Sequence, residues 1–276
     1  MANFEHLALL KAGAVTWIEW RKKNPQVSPD LSAANLSGDN FRGANLQGVN
    51  LNKVDLGNAL LVGANLTGAD LGGANLYRAK LMEANLSEAN FSVANLSGAT
   101  LTQADLSHAN LIGADLSEAN LQGAVITNAN LIGTDLRNAN LKDADLGMAK
   151  LNRSNLALAN LIAANLIEAD LSEANLYEAE VIGAYLYQTN LYKANLSQVH
   201  LSGAYLLRAN LSQANLSKAD FRWTNLRGAN FALSNLRGAN FIGAKNLSVL
   251  QVKSAQNWED AEYSQDFRSK LGLAAK

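Results

Sequence analysis

Glu180, His200 and Asp220 are separated by intervals of twenty residues. A histidine between two carboxylates tends to keep its proton and could serve as an acid–base group or a metal ligand. One imidazole is a thin donor set, since zinc sites gather three or four nitrogen, sulfur and oxygen ligands. The chain has no cysteine, which excludes disulfides and thiolate sites, and its other histidines are His6 and His108, far off in sequence. No Ser/His/Asp or Cys/His constellation can be assembled, and the 20 glycines form no phosphate-cradling fingerprint. We therefore assign no catalytic residue, no metal ligand and no cofactor, and expect no enzyme. Arg153, Glu173 and Lys193 repeat the same interval with charge pairing as their only chemistry.

The interval of twenty is four times a smaller one. From Leu31 to Phe241, every fifth residue is apolar: 43 consecutive positions, of which 36 are Leu, five are Phe and the other two are Ile126 and Val181. Leu86, Phe91, Leu96 and Leu101 are typical of this interior register. Two residues before the centre, 33 of 43 positions are Ala; one before it, 34 are Asn or Asp. On an α-helix five residues advance about 500°, which would scatter the leucines around the cylinder. In a flat strand an odd period would turn every second leucine to water. A chain that bends every five residues avoids both outcomes. The central residue and the one two before it point inward, the next two make the corner, and backbone groups pair with neighbouring coils. Asp39 is an inward position that breaks the apolar rule, as expected for a partly solvated first coil.

The tandem A(N/D)LXX pattern over residues 30–245 resembles the pentapeptide-repeat proteins. The resemblance implies an all-β solenoid, a right-handed quadrilateral β-helix of about eleven coils with four pentapeptides in each. Segments 1–29 and 246–276 are then short α-helical caps. Leu7, Leu10, Ala14 and Trp17 have the spacing of one amphipathic helix ending before Asn24-Pro25. Ser248 and Gln251 form a capping box, and Tyr263, Phe267 and Leu271 are expected on one helical face. The W-x-x-W-R and F-R-x-x-L-G-L flanks are similar to those of cyanobacterial pentapeptide-repeat proteins. Caps at both ends favour a monomer over end-to-end stacking.

Four pentapeptides per coil would stack residues twenty apart. Tyr185 and Tyr205 then form one surface column, and Ile167, Tyr187 and Leu207 the next, with Trp223, Ile162 and Ile182 on the adjoining wall. Such an apolar, aromatic patch suits a protein partner; the alternative is a ladder of self-stacking side chains that only covers backbone. The candidate protein-binding patch is thus Ile167, Tyr185, Tyr187, Tyr205, Leu207 and Trp223.

Charge supplies a rival reading. The chain carries a net charge of −1, residues 81–180 contain 13 acids and 4 bases, and residues 181–245 contain 1 acid and 7 bases. Some pentapeptide-repeat proteins mimic duplex DNA and occupy type II topoisomerases, so the acidic middle coils could modulate DNA gyrase. A rod of roughly 50 Å with the charge density of DNA needs roughly 30 negative charges, whereas residues 30–245 hold 18 acids and 15 bases. The leading expectation is a non-enzymatic scaffold for an unidentified protein partner. Direct nucleic-acid binding is not expected without a dominating basic surface. No apolar run approaches a membrane span, and the N-terminus is a poor secretory signal, so a cytoplasmic protein is expected.

Overall fold

The computed structural model describes residues 2–274. The chain divides into two compact units, Met1–Asp135 and Leu136–Lys276. Both are built from the same five-residue element, whose economy lies in its backbone hydrogen bonds.

The element around Leu86 shows how every donor is used. The Leu86 amide donates to the Asp105 carbonyl (2.7 Å), the Glu88 amide to Ser107 (2.9 Å), and the Asn90 amide to Ala69 (2.9 Å), so three of five bonds run between coils. The Ala89 amide closes the corner on the Leu86 carbonyl (3.1 Å). The fifth donor, the Ser87 amide, has no main-chain partner and gives its proton to Asn85 Oδ1 (3.0 Å). This explains the Asn or Asp before each centre. A buried or half-buried amide without an acceptor is costly, and only a short side-chain oxygen reaches it, in an Asx turn. Parallel bridges such as Asn85↔Asp105 and Asn175↔Asn195 confirm the twenty-residue register, with four pentapeptides per coil.

Each corner requires a left-handed residue two positions after the centre. Val93 and Trp223 adopt φ of 57° and 58° there, alongside glycines such as Gly183 at 65°. The centres and the small residues two before them fill the interior: Leu86, Phe91, Leu96 and Leu101 are all fully buried. Where Ser or Thr replaces the inner Ala, the hydroxyl donates to a carbonyl, as Thr189 does to Leu166 (2.7 Å) and Ser154 to Leu151 (2.6 Å). Asp39, by contrast, is only half-buried, as expected for the first coil.

Side chains also bond from coil to coil. Asn190 Nδ2 donates to Asp170 Oδ1 (2.9 Å), Asn210 to Asn190 (3.1 Å) and Asn230 to Asn210 (3.3 Å). This ladder has a direction, because each of its Asn side chains donates toward lower residue numbers. Asp can therefore begin a ladder but cannot continue one.

The N-terminal cap comprises α1 (Phe4–Lys11) and α2 (Ala14–Lys23). The single helix expected from the spacing of Leu7 to Trp17 is broken at Gly13, whose φ of 106° no helix allows. The break lets α2 turn over the first coil. Trp17, fully buried, donates its indole N–H to the Asn45 carbonyl (2.7 Å), and Arg21 Nη2 donates to Gln47 (2.7 Å). His6 Nδ1 accepts the Asp30 amide (3.0 Å). These main-chain groups face the side on which no earlier coil exists.

The C-terminal cap comprises α3 (Val249–Lys253), a 3₁₀ turn (Trp258–Asp260) and α4 (Gln265–Leu271). Ser248 and Gln251 form the expected capping box. Gln251 Nε2 also donates to the carbonyls of Leu226 (2.9 Å) and Ala229 (2.7 Å), fixing α3 over the last coil. Tyr263 departs from the helical face foreseen for it. It precedes α4, next to the Asn240↔Glu262 bridge, and stacks on Phe241. The segment before α4 continues the parallel pairing, so the residue takes a core position instead.

Candidate functional site

The Leu136–Lys276 unit holds all the residues proposed for the binding patch. Tyr185 and Tyr205 sit in the column where Asn165 and Asn225 carry carboxamides, connected by the bridges Asn165↔Tyr185, Tyr185↔Tyr205 and Tyr205↔Asn225. Their rings are 5.2 Å apart and 5° from parallel, and they remain 47 % and 46 % exposed. Aromatic pairs in this arrangement add about 0.5–1.5 kcal/mol beyond area burial. The exchange also has a backbone consequence. Without an oxygen like that of Asn85, Tyr185 and Tyr205 offer no Asx acceptor to the amides of Tyr187 and Leu207.

Tyr187 and Leu207 occupy the next corner, half-buried, one coil apart. The Gln188 amide donates to the Leu207 carbonyl (2.9 Å), as the Glu168 amide does to Tyr187 (2.9 Å), so Ile167, Tyr187 and Leu207 rise in successive coils. On the other side Ile182 is exposed and Ile162 half-buried. Trp223 stands apart from these. Its indole is 57 % exposed and lies over Gly243, where an added Cβ would come within 2.7 Å of the ring, with the Arg222 guanidinium 5.3 Å from its centroid. A groove of about 350 Å³ beside the tyrosines is lined by Tyr187, Leu207, Arg208, Arg227 and Gly228. The two arginines were not among the sequence candidates. The excess of seven bases over one acid in residues 181–245 was the signal that could have found them.

The chemically able column is assembled but otherwise engaged. Bridges Glu180↔His200 and His200↔Asp220 stack the three residues. Asp220, however, accepts two bonds from its own neighbour, Arg222 Nε (2.8 Å) and Nη2 (2.6 Å). Burial alone would raise the Asp220 carboxyl, but hydrogen bonds from the Arg222 side chain and amide outweigh it, leaving the group below the usual carboxylate range. Glu178, Glu180, Gln198, His200 and Lys218 line an open surface notch. Among the described residues no group of three or more His, Asp or Glu side chains could hold a metal ion. Arg153 pairs with Glu173 (3.0 Å) as charge predicts, but Lys193 does not extend that ladder. Its ammonium instead lies 5.1 Å from the ring centroid of the adjacent Tyr192, a cation–π distance.

The repeat family's profile, pentapeptide repeats, matches residues 30–61, 59–97, 94–131, 119–157, 154–192, 194–231 and 214–245. The chain is a pentapeptide-repeat protein. Its fold is accordingly the right-handed quadrilateral β-helix. Among solved structures, this pentapeptide-repeat protein is similar to HetL of the cyanobacterium Nostoc sp. strain PCC 7120, a protein involved in heterocyst differentiation regulation. The identity is 32 % over 82 % of this chain and 96 % of HetL, with a TM-score of 0.44. Rfr23 from the cyanobacterium Cyanothece 51142 is also 32 % identical, over 38 % of this chain and 85 % of Rfr23, with a TM-score of 0.26. QnrB1, a plasmid-mediated fluoroquinolone resistance protein, is 16 % identical over 90 % of this chain and 98 % of its own, with a TM-score of 0.32. No curated protein matches the chain. Among the described residues, no helix is long and apolar enough to cross a membrane.

Proposed function

We propose that this pentapeptide-repeat protein is a non-enzymatic scaffold in the cytoplasm that presents the Tyr185–Tyr205 wall to a protein partner. The observation that carries the reading is the replacement of two ladder positions by stacked tyrosines that stay nearly half exposed. The Asn ladder already solves the wall's own hydrogen-bonding, so the exchange gives up an Asx acceptor and gains accessible aromatic area. Stacked in register, the rings are ordered before any partner arrives, which reduces the entropy lost on binding. Half-buried Ile167, Tyr187 and Leu207 extend the apolar area around one corner, and aromatic area of this kind dominates binding hot spots. Both terminal coils are covered by caps, which supports a monomer that binds through its side.

Capture from source-cell lysate tests the reading, with wild-type protein and a Tyr185→Ser, Tyr187→Ser, Tyr205→Ser variant as baits. Loss of specific proteins from the variant is expected. Identical recoveries would show that this wall is not the interface. Supercoiling by DNA gyrase, measured with the wild type in parallel, is expected to be unaffected; inhibition would favour the DNA-mimic reading instead.

A further inference from the structure

The groove beside the tyrosine wall has an electrostatic character of its own. Three exposed arginines of this unit pair with carboxylates: Arg153 with Glu173, Arg222 with Asp220, and Arg237 with Asp260. Arg208 and Arg227 are exposed, and among the described residues neither guanidinium has an ion-pair partner. They are held together by main chain, the Arg208 amide donating to the Arg227 carbonyl (2.9 Å). The Arg208 stem packs over Gly228, 3.5 Å from where a Cβ would stand, an ordinary contact distance. Beside the two cations lie the apolar faces of Tyr187 and Leu207, whose own amides lack an Asx acceptor. The site thus combines two unneutralised cations and an apolar shelf.

We propose that this groove binds an extended, acidic protein segment: an apolar side chain rests on Tyr187 and Leu207 while neighbouring carboxylates pair with Arg208 and Arg227. The inference rests on the scaffold reading above and gives that partner its chemistry. Guanidinium groups match carboxylates in a two-pronged geometry. An apolar shelf between them and the tyrosines favours a peptide over a bare polyanion, which would leave Tyr187 and Leu207 unused. Glu168, which precedes Gln188 and Arg208 in the same column, fixes the direction: acidic groups are repelled at its end and drawn toward Arg208.

The test uses fluorescein-labelled twelve-residue peptides, sized at about 40 Å extended, in which Asp alternates with Leu and Phe. Anisotropy is read against the whole protein. The acidic peptide should bind, and Arg208→Gln with Arg227→Gln should weaken it at least about tenfold. Arg237→Gln, which removes an arginine paired elsewhere, should leave binding unchanged. A peptide with Asn in place of Asp should bind at least about tenfold more weakly. Equal binding of the Asn peptide, or no effect of the double arginine variant, would overturn the proposal. So would a duplex DNA oligonucleotide that binds more tightly through the same arginines, because the groove would then be a phosphate site. If the acidic peptide fails while a Tyr185→Ser, Tyr205→Ser variant, which leaves Tyr187 in place, still loses proteins in lysate capture, the groove inference falls and the scaffold reading stands.

Discussion

Tyr263 stacks on Phe241 with ring centroids 5.6 Å apart and planes 8° from parallel, and Phe241 stacks in turn on Phe221 at 4.9 Å and 5°. The core column therefore runs one step past the last pentapeptide and ends in a cap residue whose hydroxyl donates to the Trp258 carbonyl (2.8 Å). Tyr263→Ala should cost about 3–5 kcal/mol through the cavity it opens. Tyr263→Phe, which keeps the stack, should cost about 1 kcal/mol. Urea unfolding of the two variants separates packing from the hydrogen bond.

The same residue gives a pH dependence. Burial, and then the nearby Glu259 charge, push the Tyr263 hydroxyl well above its ordinary range. The folded state thus holds this proton more tightly than the unfolded chain. Its contribution is complete below about pH 10, the unfolded value, and declines as pH rises further toward the folded value. Wild-type urea midpoints should fall more steeply than those of Tyr263→Phe above pH 10. Parallel curves would contradict this.

Val93 is 73 % exposed and holds φ at 57°, a β-branched residue where Gly serves in neighbouring corners. Left-handed backbone costs an L-residue roughly 1–2 kcal/mol, and glycine returns part of that gain as unfolded-state entropy. Val93→Gly should therefore raise stability by about 1 kcal/mol. A lowered thermal midpoint would show that the side chain makes a compensating contact.

The Asn ladder predicts an asymmetry. Asn210→Asp removes the donor to Asn190 Oδ1 and sets a carboxylate against that oxygen, which should cost about 1–2 kcal/mol. Asp170→Asn at the start of the same ladder keeps its acceptor and should change stability by less than about 0.5 kcal/mol. Equal losses in both would mean that the ladder's direction carries no energy.

Trp17 seals the first coil through the Asn45 carbonyl. Trp17→Ala should uncover that edge and its apolar floor, leading to concentration-dependent self-association. Light scattering after size exclusion measures this, with a monomeric wild type expected as the reference.

The solenoid was legible because one residue in five meets the same environment 43 times, so a local rule fixes the register of both units. Stacking of Tyr185 on Tyr205 followed directly from that register. The caps were less legible, since nothing repeats there. Gly13 interrupts a spacing that reads as one helix, and Tyr263 enters the core from a segment that the capping motif alone does not place. The surface charges were the least legible. Numbering puts Asp220 beside His200, but its partner Arg222 is two residues away at its own corner, and stem flexibility decides between them. The basic excess of residues 181–245 signals Arg208 and Arg227 only as two of seven cations, because pairing with a carboxylate is set by the corner each side chain leaves from.

The most direct measurement of the central claim is contact itself. Tyr205→p-benzoylphenylalanine, irradiated in source-cell lysate, should crosslink a specific protein that the same label at Tyr77, exposed on the other unit, does not capture. Unlabelled wild-type protein should compete that crosslink away. Crosslinks of the same kind and yield from both positions, undiminished by the competitor, would contradict a binding surface at Tyr185 and Tyr205.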